Sequence, residues 1–487
     1  MAKFIGQSVA VSYKRHNGGL NSTSGPLGLE DNEFRDIANI DFDKFGSFGM
    51  RNGYAALNAT AVGTAPIDGL HWYMTPTQRK PIMMTGTKAY RMDDLDGTWD
   101  DITGSVVITG NYKFRSDTFL KTMLSTNDYN PPIVWDGTGD FAAMTVPTGV
   151  TRTRFITHFN NYCLIANLVV SGVARPTRFY FSAIKTIATW DDADFYEVGY
   201  EDGEEITGFK TLADRIVVYK TNSIYCVYFT GDADIPFTIQ KSNSAVGCIA
   251  PDSIQEVDNG HVFLSYDGIY YFDGANSYKV SDKISTTLQS YAVTYLPYAT
   301  STYQKTRNRY WLSLPTSTTN NRIITWDTYN NAWSVYTGIT ASVITNFLNN
   351  GVEERVYFGD YAGRVYRLDT GNSDYPANVK TAINAYGWTN WKTFDDLCDQ
   401  KGIPHVYIYH KDQPGTLTFE YAYDFDTTNV YSDTFTTTSG SGFTTKITRR
   451  DLTGRGRVVS FKFGMNTTDS SFQIDGLGTE ARLETNK

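Results

Sequence analysis

The sequence predicts an all-β protein built on a β-propeller of about seven blades, with an N-terminal arm and a C-terminal β-sandwich-like platform domain. Aromatic residues make up 15% of the 487 residues, with 34 Tyr, 28 Phe and 41 Gly, which suits half-buried strands separated by tight turns. A short pattern also recurs through the middle of the chain, and one stretch has the sequence of a β-hairpin. These observations favour strands over helices.

The recurring pattern is an apolar or aromatic residue followed by Asp, Thr or Ser and then a turn. It occurs at Met92-Asp93, Trp135-Asp136, Phe181-Ser182, Phe229-Thr230, Phe272-Asp273, Trp326-Asp327 and Leu368-Asp369. The interval is roughly 40–50 residues, which is typical of propeller blades of about four strands each. We therefore interpret each occurrence as the end of a blade and assign the propeller to residues 64–371.

The clearest hairpin is the stretch HVFLSYDGIYYFDG. Its two strands are predicted at His261 to Tyr266 and Ile269 to Phe272, joined at Asp267-Gly268, because Asp-Gly between alternating apolar residues is a strong hairpin signal. A second hairpin is predicted from Arg215 to Phe229, with its turn at Thr221-Asn222.

The ends of the chain differ from the repeat. Residues 1–29 are rich in Gly, Ser and Asn and predict an extended arm, free or lying on a neighbour. Residues 30–63 predict a strap or platform segment, with one or two helical turns from Glu33 to Ile40 and a hairpin around Gly46, Gly49 and Gly53. Residues 376–487 contain strictly alternating stretches at 405–410 and 416–425, which predict a separate small β-sandwich.

The overall charge limits the kinds of partner. A net charge of −9 and a pI near 5.3 leave no overall basic surface for tight nucleic-acid binding, so a DNA partner is expected to slide past. No apolar run approaches the roughly 18 residues that span a bilayer, and we predict no membrane-spanning segment. Cys163 and Cys226 lie in strand-like runs without a CxxC pair, which predicts buried free thiols and folding in a reducing cytoplasm.

Motifs for catalysis and metal binding are weak. The acidic run Glu201 to Glu205 resembles paired glycosidase carboxylates, but a solvated turn between blades is the favoured interpretation. Ser265 to Gly268 approaches the Asp-box of sialidases without its closing Trp, and a hairpin turn fits better. His405 and His410 lie five apart on an alternating strand, so they face opposite sides and cannot chelate one metal. We predict no enzyme, no cofactor and no metal site.

A basic cluster is the candidate interaction site. Arg449, Arg450, Arg455 and Arg457 lie close together in the C-terminal domain. Arginine offers bidentate contacts to phosphate or carboxylate groups. We predict contact with phosphate or, alternatively, a solvated strand face that pairs with an acidic neighbouring subunit.

Five stretches resemble the tail hub or nozzle proteins of tailed bacteriophages, also called the tail tubular protein B or packaged-DNA-stabilisation type. ANIDFDKFGSFGMRNGY at 38–54 is similar to that family's opening strap, and FKTLADRIVVYKTNSIYCVYFTG followed by HVFLSYDGIYYFDG is similar to its central blades. RRDLTGRGRVVSFKFGM and QIDGLGTEARL are similar to its closing strands. The similar stretches run in order along most of the chain.

The resemblance implies a structural role in the virion tail, after assembly in the host cytoplasm. Members form a ring, commonly of six copies, below the portal and adaptor rings. The ring continues the channel for double-stranded DNA, retains the packaged genome until ejection and supports tail fibres or spikes. By this resemblance, residues 30–58 and 376–487 are expected to form the platform next to the neighbouring ring.

Two other functions stay open at the level of sequence. A carbohydrate-binding propeller, such as a receptor-binding tail component, would use exposed aromatic side chains at blade loops, for which Trp99, Trp190 and Trp333 are candidates. A diverged glycosidase would need a pair of carboxylates facing the central pocket of the propeller.

Overall fold

The computed structural model describes residues 8–58, 60–93, 97–349, 353–438 and 445–484. The strands before the repeat are β1 (Ser8–Tyr13), β2 (Gly19–Leu20), β3 (Glu33–Ala38), β4 (Ile40–Phe42), β5 (Phe48–Met50) and β6 (Ala55–Ala56). Within the described residues, helical structure is confined to α1 (Ser285–Gln289) and to 3-10 turns at Tyr200–Asp202, Pro251–Ser253, Asp282–Ile284, Val293–Tyr298, Lys305–Arg307 and Pro376–Asn378. No helix among them is long and apolar enough to cross a membrane.

The strands of the repeat follow one another with short connections. They are β7 (Ile67–Met74), β8 (Arg79–Thr85), β9 (Lys88–Met92), β10 (Trp99–Asp101), β11 (Arg115–Phe119), β12 (Thr122–Thr126), β13 (Ile133–Trp135), β14 (Ala142–Ala143), β15 (Val150–Phe159), β16 (Tyr162–Val170), β17 (Val173–Ser182), β18 (Trp190–Glu197), β19 (Gly208–Leu212), β20 (Arg215–Tyr219), β21 (Ile224–Phe229), β22 (Phe237–Lys241), β23 (Gln255–Val257), β24 (Gly260–Ser265), β25 (Gly268–Phe272), β26 (Ser277–Lys279), β27 (Thr300–Gln304), β28 (Arg309–Pro315), β29 (Asn320–Asp327), β30 (Ala332–Tyr336), β31 (Val343–Asn349), β32 (Glu353–Gly359) and β33 (Val365–Arg367).

The remaining strands form the C-terminal region. They are β34 (Ala385–Thr389), β35 (Gln400–Gly402), β36 (His405–Lys411), β37 (Thr416–Tyr423), β38 (Tyr431–Thr436), β39 (Thr445–Asp451), β40 (Arg455–Gly456), β41 (Val459–Met465) and β42 (Gln473–Glu484).

The repeat folds into seven four-stranded antiparallel sheets within the described residues, so the predicted all-β propeller is confirmed. Blades one to six are β7–β10, β11–β14, β15–β18, β19–β22, β23–β26 and β27–β30. The first strand of each blade is the inner strand, and β31 of blade seven contacts β7 of blade one. Blade seven contains β31, β32, β33 and the early strand β6, with Tyr366 paired to Ala56. Because β6 precedes blade one in the chain, this pairing joins the two ends of the propeller. It also supplies the fourth strand of blade seven.

The recurring sequence pattern marks the third strand of each blade, not the end of the blade as predicted. Strands β9, β13, β21 and β25 end at Met92, Trp135, Phe229 and Phe272. In blades two and five the Asp that follows makes the turn to the fourth strand: Oδ1 of Asp136 accepts the backbone N–H of Thr138 at 2.9 Å, and Oδ1 of Asp273 accepts that of Ala275 at 2.8 Å. This is the local bond for which Asp is favoured in turns. The longer interval after Phe272 contains α1 and three 3-10 turns.

The two predicted hairpins are confirmed with one shift of register. Strands β24 and β25 pair through Ser265 and Gly268, so the two loop residues are Tyr266 and Asp267, one residue earlier than predicted. Strands β20 and β21 pair from Arg215 opposite Tyr228 to Tyr219 opposite Ile224, around the turn predicted at Thr221-Asn222.

Large side chains fill the spaces between adjacent blades. Between blades one and two, the rings of Tyr73 and Trp135 meet edge to face with centroids 4.9 Å apart. Between blades three and four, Phe237 contacts the rings of Phe179 and Phe181. Burying one such aromatic side chain stabilises the fold by about 1.5–3 kcal/mol, which explains the aromatic composition.

The C-terminal strands and the N-terminal strands together form a β-sandwich. One sheet contains β39, β36, β42, β35 and β40 with β1, β4 and β5 attached, and the other has the order β2-β3-β34-β41-β37-β38. Phe48 of the first sheet packs against Phe34 and Phe463 of the second, at centroid distances of 4.8 and 5.8 Å. The buried core of the sandwich continues into blades five and six.

The predicted helical turns from Glu33 to Ile40 are wrong, because these residues form strands β3 and β4. Phe34, Ile37 and Ala38 are buried, and β3 pairs with β34 of the C-terminal region. The long-range pairing overrides a weak local helical tendency. In the arm predicted at 1–29, β1 pairs along β42, whereas residues 1–7 lie outside the described residues.

Candidate functional site

A buried ion pair joins the strap segment to the C-terminal end of the propeller. The guanidinium of Arg51 donates to both carboxylate oxygens of Asp374, at 2.8 and 2.7 Å, and its Nε donates to Asn39 at 2.8 Å. The two charged side chains are only 2% and 6% exposed. Gly53 is required beside them, because a Cβ there would lie 1.8 Å from the carbonyl oxygen of Ser373.

A second contact joins the strap to blade six. The carboxylate of Asp41 lies 2.7 Å from the guanidinium of Arg309 and accepts a hydrogen bond from the hydroxyl of Tyr336. Burial is the main cause that raises the pKa of Tyr336, so this hydroxyl stays a donor. Together with the Arg51 pair, these bonds form the joint between propeller and sandwich, defined here as Asn39, Asp41 and Arg51 with their partners.

The predicted basic residues lie along one edge of the sandwich. Arg449 and Arg450 are on β39, which pairs with β36, and Arg455 is on β40, which pairs with β35. Strands β36 and β35 both pair with β42, one after the other along its length. Residues 445–456 therefore form one edge interrupted between Asp451 and Arg455. We call residues 449–457 the arginine edge.

The arginine edge is exposed and makes local ion pairs. Arg449, Arg455 and Arg457 are exposed and Arg450 is half-buried. Arg449 lies 2.8 Å from Asp451, and Arg450 lies 3.3 Å from Asp433 of β38. Pairs as exposed as the first contribute little to stability, typically about 0–1 kcal/mol. The edge therefore presents positive charge to solvent.

The inner strands of all seven blades surround an axial cavity of about 580 Å³. Its charged lining comes from residues of blades one to five: Asp68, Lys113, Arg115, Asp117, His158, Lys210, Asp252 and Glu256. Apolar side chains, among them Leu70 and Phe155, complete the wall. A cavity of this size is in the range that holds small molecules.

An ion pair crosses the axis and narrows this cavity. The guanidinium of Arg115, on blade two, donates to both oxygens of Asp252 at 2.8 and 2.9 Å. Asp252 lies in the turn before blade five, on the far side of the ring. The ammonium of Lys113 similarly donates to the carbonyl oxygen of Ser342, which precedes blade seven, at 2.5 Å. These bonds tie non-adjacent blades together.

Histidines and carboxylates form a second group in the cavity. Nδ1 of His158 lies 2.8 Å from Oδ2 of Asp117, and this hydrogen bond is the main cause that raises the pKa of His158. Burial lowers the pKa of His71 to about 4. Burial also raises the pKa of Asp68 to about 6, although Lys113 opposes the shift.

The acidic run Glu201 to Glu205 stabilises the connection between blades three and four. Asp202 contacts the buried ammonium of Lys220 at 2.6 Å, and Glu204 accepts from Asn222 at 2.7 Å. Glu205 lies 3.1 Å from Arg154. Ser265 and Asp267 lie at the hairpin turn of blade five, where Asp267 accepts from Tyr270 at 2.8 Å.

The candidate carbohydrate-binding tryptophans do not form an exposed surface. Trp333 is 1% exposed and stacks on Trp326 at 5.4 Å, so its assignment to an exposed loop is wrong. Trp99 and Trp190 are half-buried.

The two histidines of the predicted strand lie on opposite faces. His410 is buried while His405 is half-buried on the same strand, as alternation requires. Within the described residues, no three His, Cys, Asp or Glu side chains are placed to hold a metal ion. Cys163 and Cys226 are buried free thiols, as predicted.

Sequence reasoning missed the axial cluster of Lys113, Arg115, Lys210 and Asp252. Arg115 and Lys210 lie on inner strands, and Lys113 and Asp252 lie just before inner strands, so these residues converge only when the ring closes. The stretch KFRSD at 113–117 alternates charged and other residues. This alternation is the one local signal of a polar face on an inner strand.

Comparison with known proteins identifies a related family. The model of the family described as "Bacteriophage P22 Gp10, beta-propeller" matches residues 47–373. No curated protein matches the chain.

Several solved structures match the chain at low identity and low TM-score. The computationally designed Ika8 protein is 12% identical with a TM-score of 0.38, covering 64% of this chain and 99% of its own. PorZ, a component of the type-IX secretion system of Porphyromonas gingivalis, is 12% identical with a TM-score of 0.40, covering 67% of this chain and 42% of its own. An exo-beta-1,3-galactanase from Phanerochaete chrysosporium is 11% identical with a TM-score of 0.29, covering 88% of this chain and 100% of its own. These scores are too low to support an argument about function.

Proposed function

We propose a ring-forming role in the phage tail for this chain, which belongs to the bacteriophage P22 Gp10 β-propeller family. Family membership makes it a structural protein of a phage. In the proposed role, about six copies form a nozzle or hub below the portal and adaptor. The ring continues the DNA channel, retains the packaged genome and supports fibre or spike attachment. The match across residues 47–373 carries the proposal.

The axial cavity supports placing the DNA channel between copies and not through the propeller. A B-DNA duplex is wider than its major groove, which alone measures about 12 Å. The cavity at the propeller axis has a volume of about 580 Å³, which is the size of a small-molecule site. A duplex therefore does not fit through it. The pair between Arg115 and Asp252 also crosses this cavity. A duplex therefore passes outside each propeller, along walls contributed by several copies. A net charge of −9 suits such walls, because repelled phosphates slide without sticking.

The buried bonds of the joint suit a subunit that transmits force between its neighbours. Buried bonds of Arg51 to Asp374 and of Asp41 to Arg309 link the sandwich directly to blades six and seven. A subunit that holds pressurised DNA must transmit force from one neighbour to the next without hinging. In the proposal, the joint makes propeller and sandwich move as one body.

In the proposed ring, the arginine edge contacts an acidic surface of the neighbouring subunit or a DNA phosphate. Arg449, Arg455 and Arg457 are exposed on an otherwise acidic chain, and arginine suits both kinds of contact. The role is non-catalytic in this proposal, in which the cavity carboxylates Asp117 and Asp252 bind His158 and Arg115.

Co-sedimentation with the portal–adaptor assembly tests the proposal. We expect several copies to sediment with each portal, and we expect fewer when Arg449, Arg450, Arg455 and Arg457 are all changed to Gln. The matched control changes Arg79, Lys185, Lys241 and Lys305 to Gln, which are exposed basic residues of the propeller. Failure of the wild-type protein to sediment with the portal contradicts the ring, whereas equal loss in both variants contradicts the arginine edge.

Retention of DNA has its own test. Filled particles that lack this protein are expected to lose their genome and become sensitive to DNase, and added wild-type protein should restore protection. Full protection without the protein would contradict the retention role.

A further inference from the structure

The axial cavity contains two ammonium groups with few partners. Lys113 donates to the carbonyl oxygen of Ser342 at 2.5 Å, and Lys210 donates to that of Ile254 at 2.8 Å. Each ammonium carries three N–H donors. Within the described residues, neither lysine forms an ion pair with a carboxylate of the kind that Arg115 forms. Donors therefore remain available to a ligand in the cavity.

Both lysines are half-buried, and the carboxylate that Arg115 binds acts on each of them. Burial is the main cause that lowers the pKa of Lys113 and of Lys210, and the charge of Asp252 opposes the shift at both. Asp252 is already bound at both oxygens by Arg115. Asp252 thus acts on three cations from blades two and four, while Asp68 also acts on Lys113, and Glu256 and Asp117 also act on Lys210.

The other carboxylates of the cavity form no ion pair with Lys113 or Lys210 within the described residues, although together with Asp252 they number four against three cations. Asp117 is bound by His158 at 2.8 Å. Asp68 is 3% exposed, and burial raises its pKa. Glu256 is exposed at its residue surface. Half-buried cations with unused N–H donors can bind a ligand that supplies further acceptor oxygens.

We propose that the axial cavity binds one small oxyanion, a phosphate or carboxylate group, between Lys113 and Lys210 and beside Arg115. Ammonium and guanidinium groups are the side chains that recognise such anions. The cavity of about 580 Å³ is larger than an inorganic ion, so it accommodates a small molecule that carries the anionic group. Apolar wall residues such as Leu70 and Phe155 would contact the remainder.

Isothermal titration calorimetry with inorganic phosphate and with citrate, each at constant ionic strength, tests the proposal and separates the two anion classes. We expect saturable binding of one anion per chain. Lys113→Met and Lys210→Met should each weaken binding about tenfold or more, and the exposed control Lys305→Met should leave binding unchanged. Asp252→Asn should tighten binding, because it removes the carboxylate that competes for the same cations.

The combination of variants keeps the test decisive. The thermal unfolding midpoint checks that each variant folds. If a lysine variant does not fold, the affinity of Asp252→Asn still tests whether the anion binds to these cations. Absence of saturable binding for both anions would overturn the site. Equal affinity in wild type and both lysine variants, or weaker binding in folded Asp252→Asn, would overturn it as well.

Discussion

Charged residues in the propeller axis and on the arginine edge differ in how they are partnered. Arg115 is 17% exposed and makes two bonds to Asp252 from the opposite side of the ring. Arg449 is 56% exposed and contacts Asp451, two residues away and itself 75% exposed. The first pair fixes distant blades relative to each other. The second fixes nothing beyond its own strand, so the edge can exchange its partner at little cost.

The ion pair of the joint is more deeply buried than either of these two pairs. Arg51 and Asp374 are 2% and 6% exposed, less than the axial pair. Removing one partner of a buried pair leaves an uncompensated charge. The three places therefore form a series in which the effect of a substitution on stability should fall from the joint to the axis to the edge.

Breaking the joint should give the largest effect. Asp374→Ala leaves the guanidinium of Arg51 buried without its carboxylate, which we expect to cost about 3–5 kcal/mol of unfolding free energy. The control Asp469→Ala removes an exposed partner of Lys380 and should cost far less, because exposed ion pairs contribute little to stability. Urea denaturation of both variants measures the difference, and equal losses would contradict the role of the joint.

Breaking the axial pair should give an intermediate effect. Arg115→Leu removes two charge-assisted hydrogen bonds that span the ring, and we expect a loss of about 1.5–3 kcal/mol. Arg482→Leu, which removes an exposed arginine paired with Glu480, is the control and should cost less than about 1 kcal/mol. The unfolding midpoint in urea distinguishes them. An axial loss no greater than the control loss would mean that the ring does not depend on this crossing.

Buried Asp68 should make part of the axial stability depend on pH. Burial raises its pKa to about 6 in the folded protein, compared with about 3.9 in the unfolded chain. The folded state therefore holds the proton more tightly, and this contribution to stability is lost as pH rises from about 4 to 6. In Asp68→Asn the unfolding free energy should fall less over this pH range, by up to about 2–3 kcal/mol, because the amide does not titrate. Unfolding free energies of both proteins across this range should converge at low pH, and parallel profiles would contradict the shift.

Changes on the arginine edge should have the smallest effect on stability. Arg449→Gln keeps the length of the side chain and removes an exposed ion pair, so we expect a change below about 1 kcal/mol. Thermal unfolding measures it. A large loss would show that the edge has a structural role within the subunit and would weaken its assignment to assembly.

Local sequence predicted those parts of the fold that local bonds determine. The turn after Trp135 was predictable because Asp136 bonds to the backbone two residues later, and the hairpin of blade five was predictable from its alternation. Strand β3 was not predictable, because Phe34 pairs with Thr389 far along the chain. Its local residues alone do not specify that partner.

The candidate sites show the same division. Arg449 and Arg455 lie on one edge, and their nearness in sequence was sufficient to group them. Arg115 and Asp252 are separated by 137 positions and meet only because blades two and five face each other across the axis. No spacing rule connects them, so the axial cluster became visible only in three dimensions.

Electron microscopy of the purified protein mixed with its portal–adaptor assembly tests the central claim most directly. The account predicts an added ring on the symmetry axis, with the DNA path between subunits and the propellers arranged around it. Isolated copies at the periphery, or no bound copies, would contradict the ring and the channel role together.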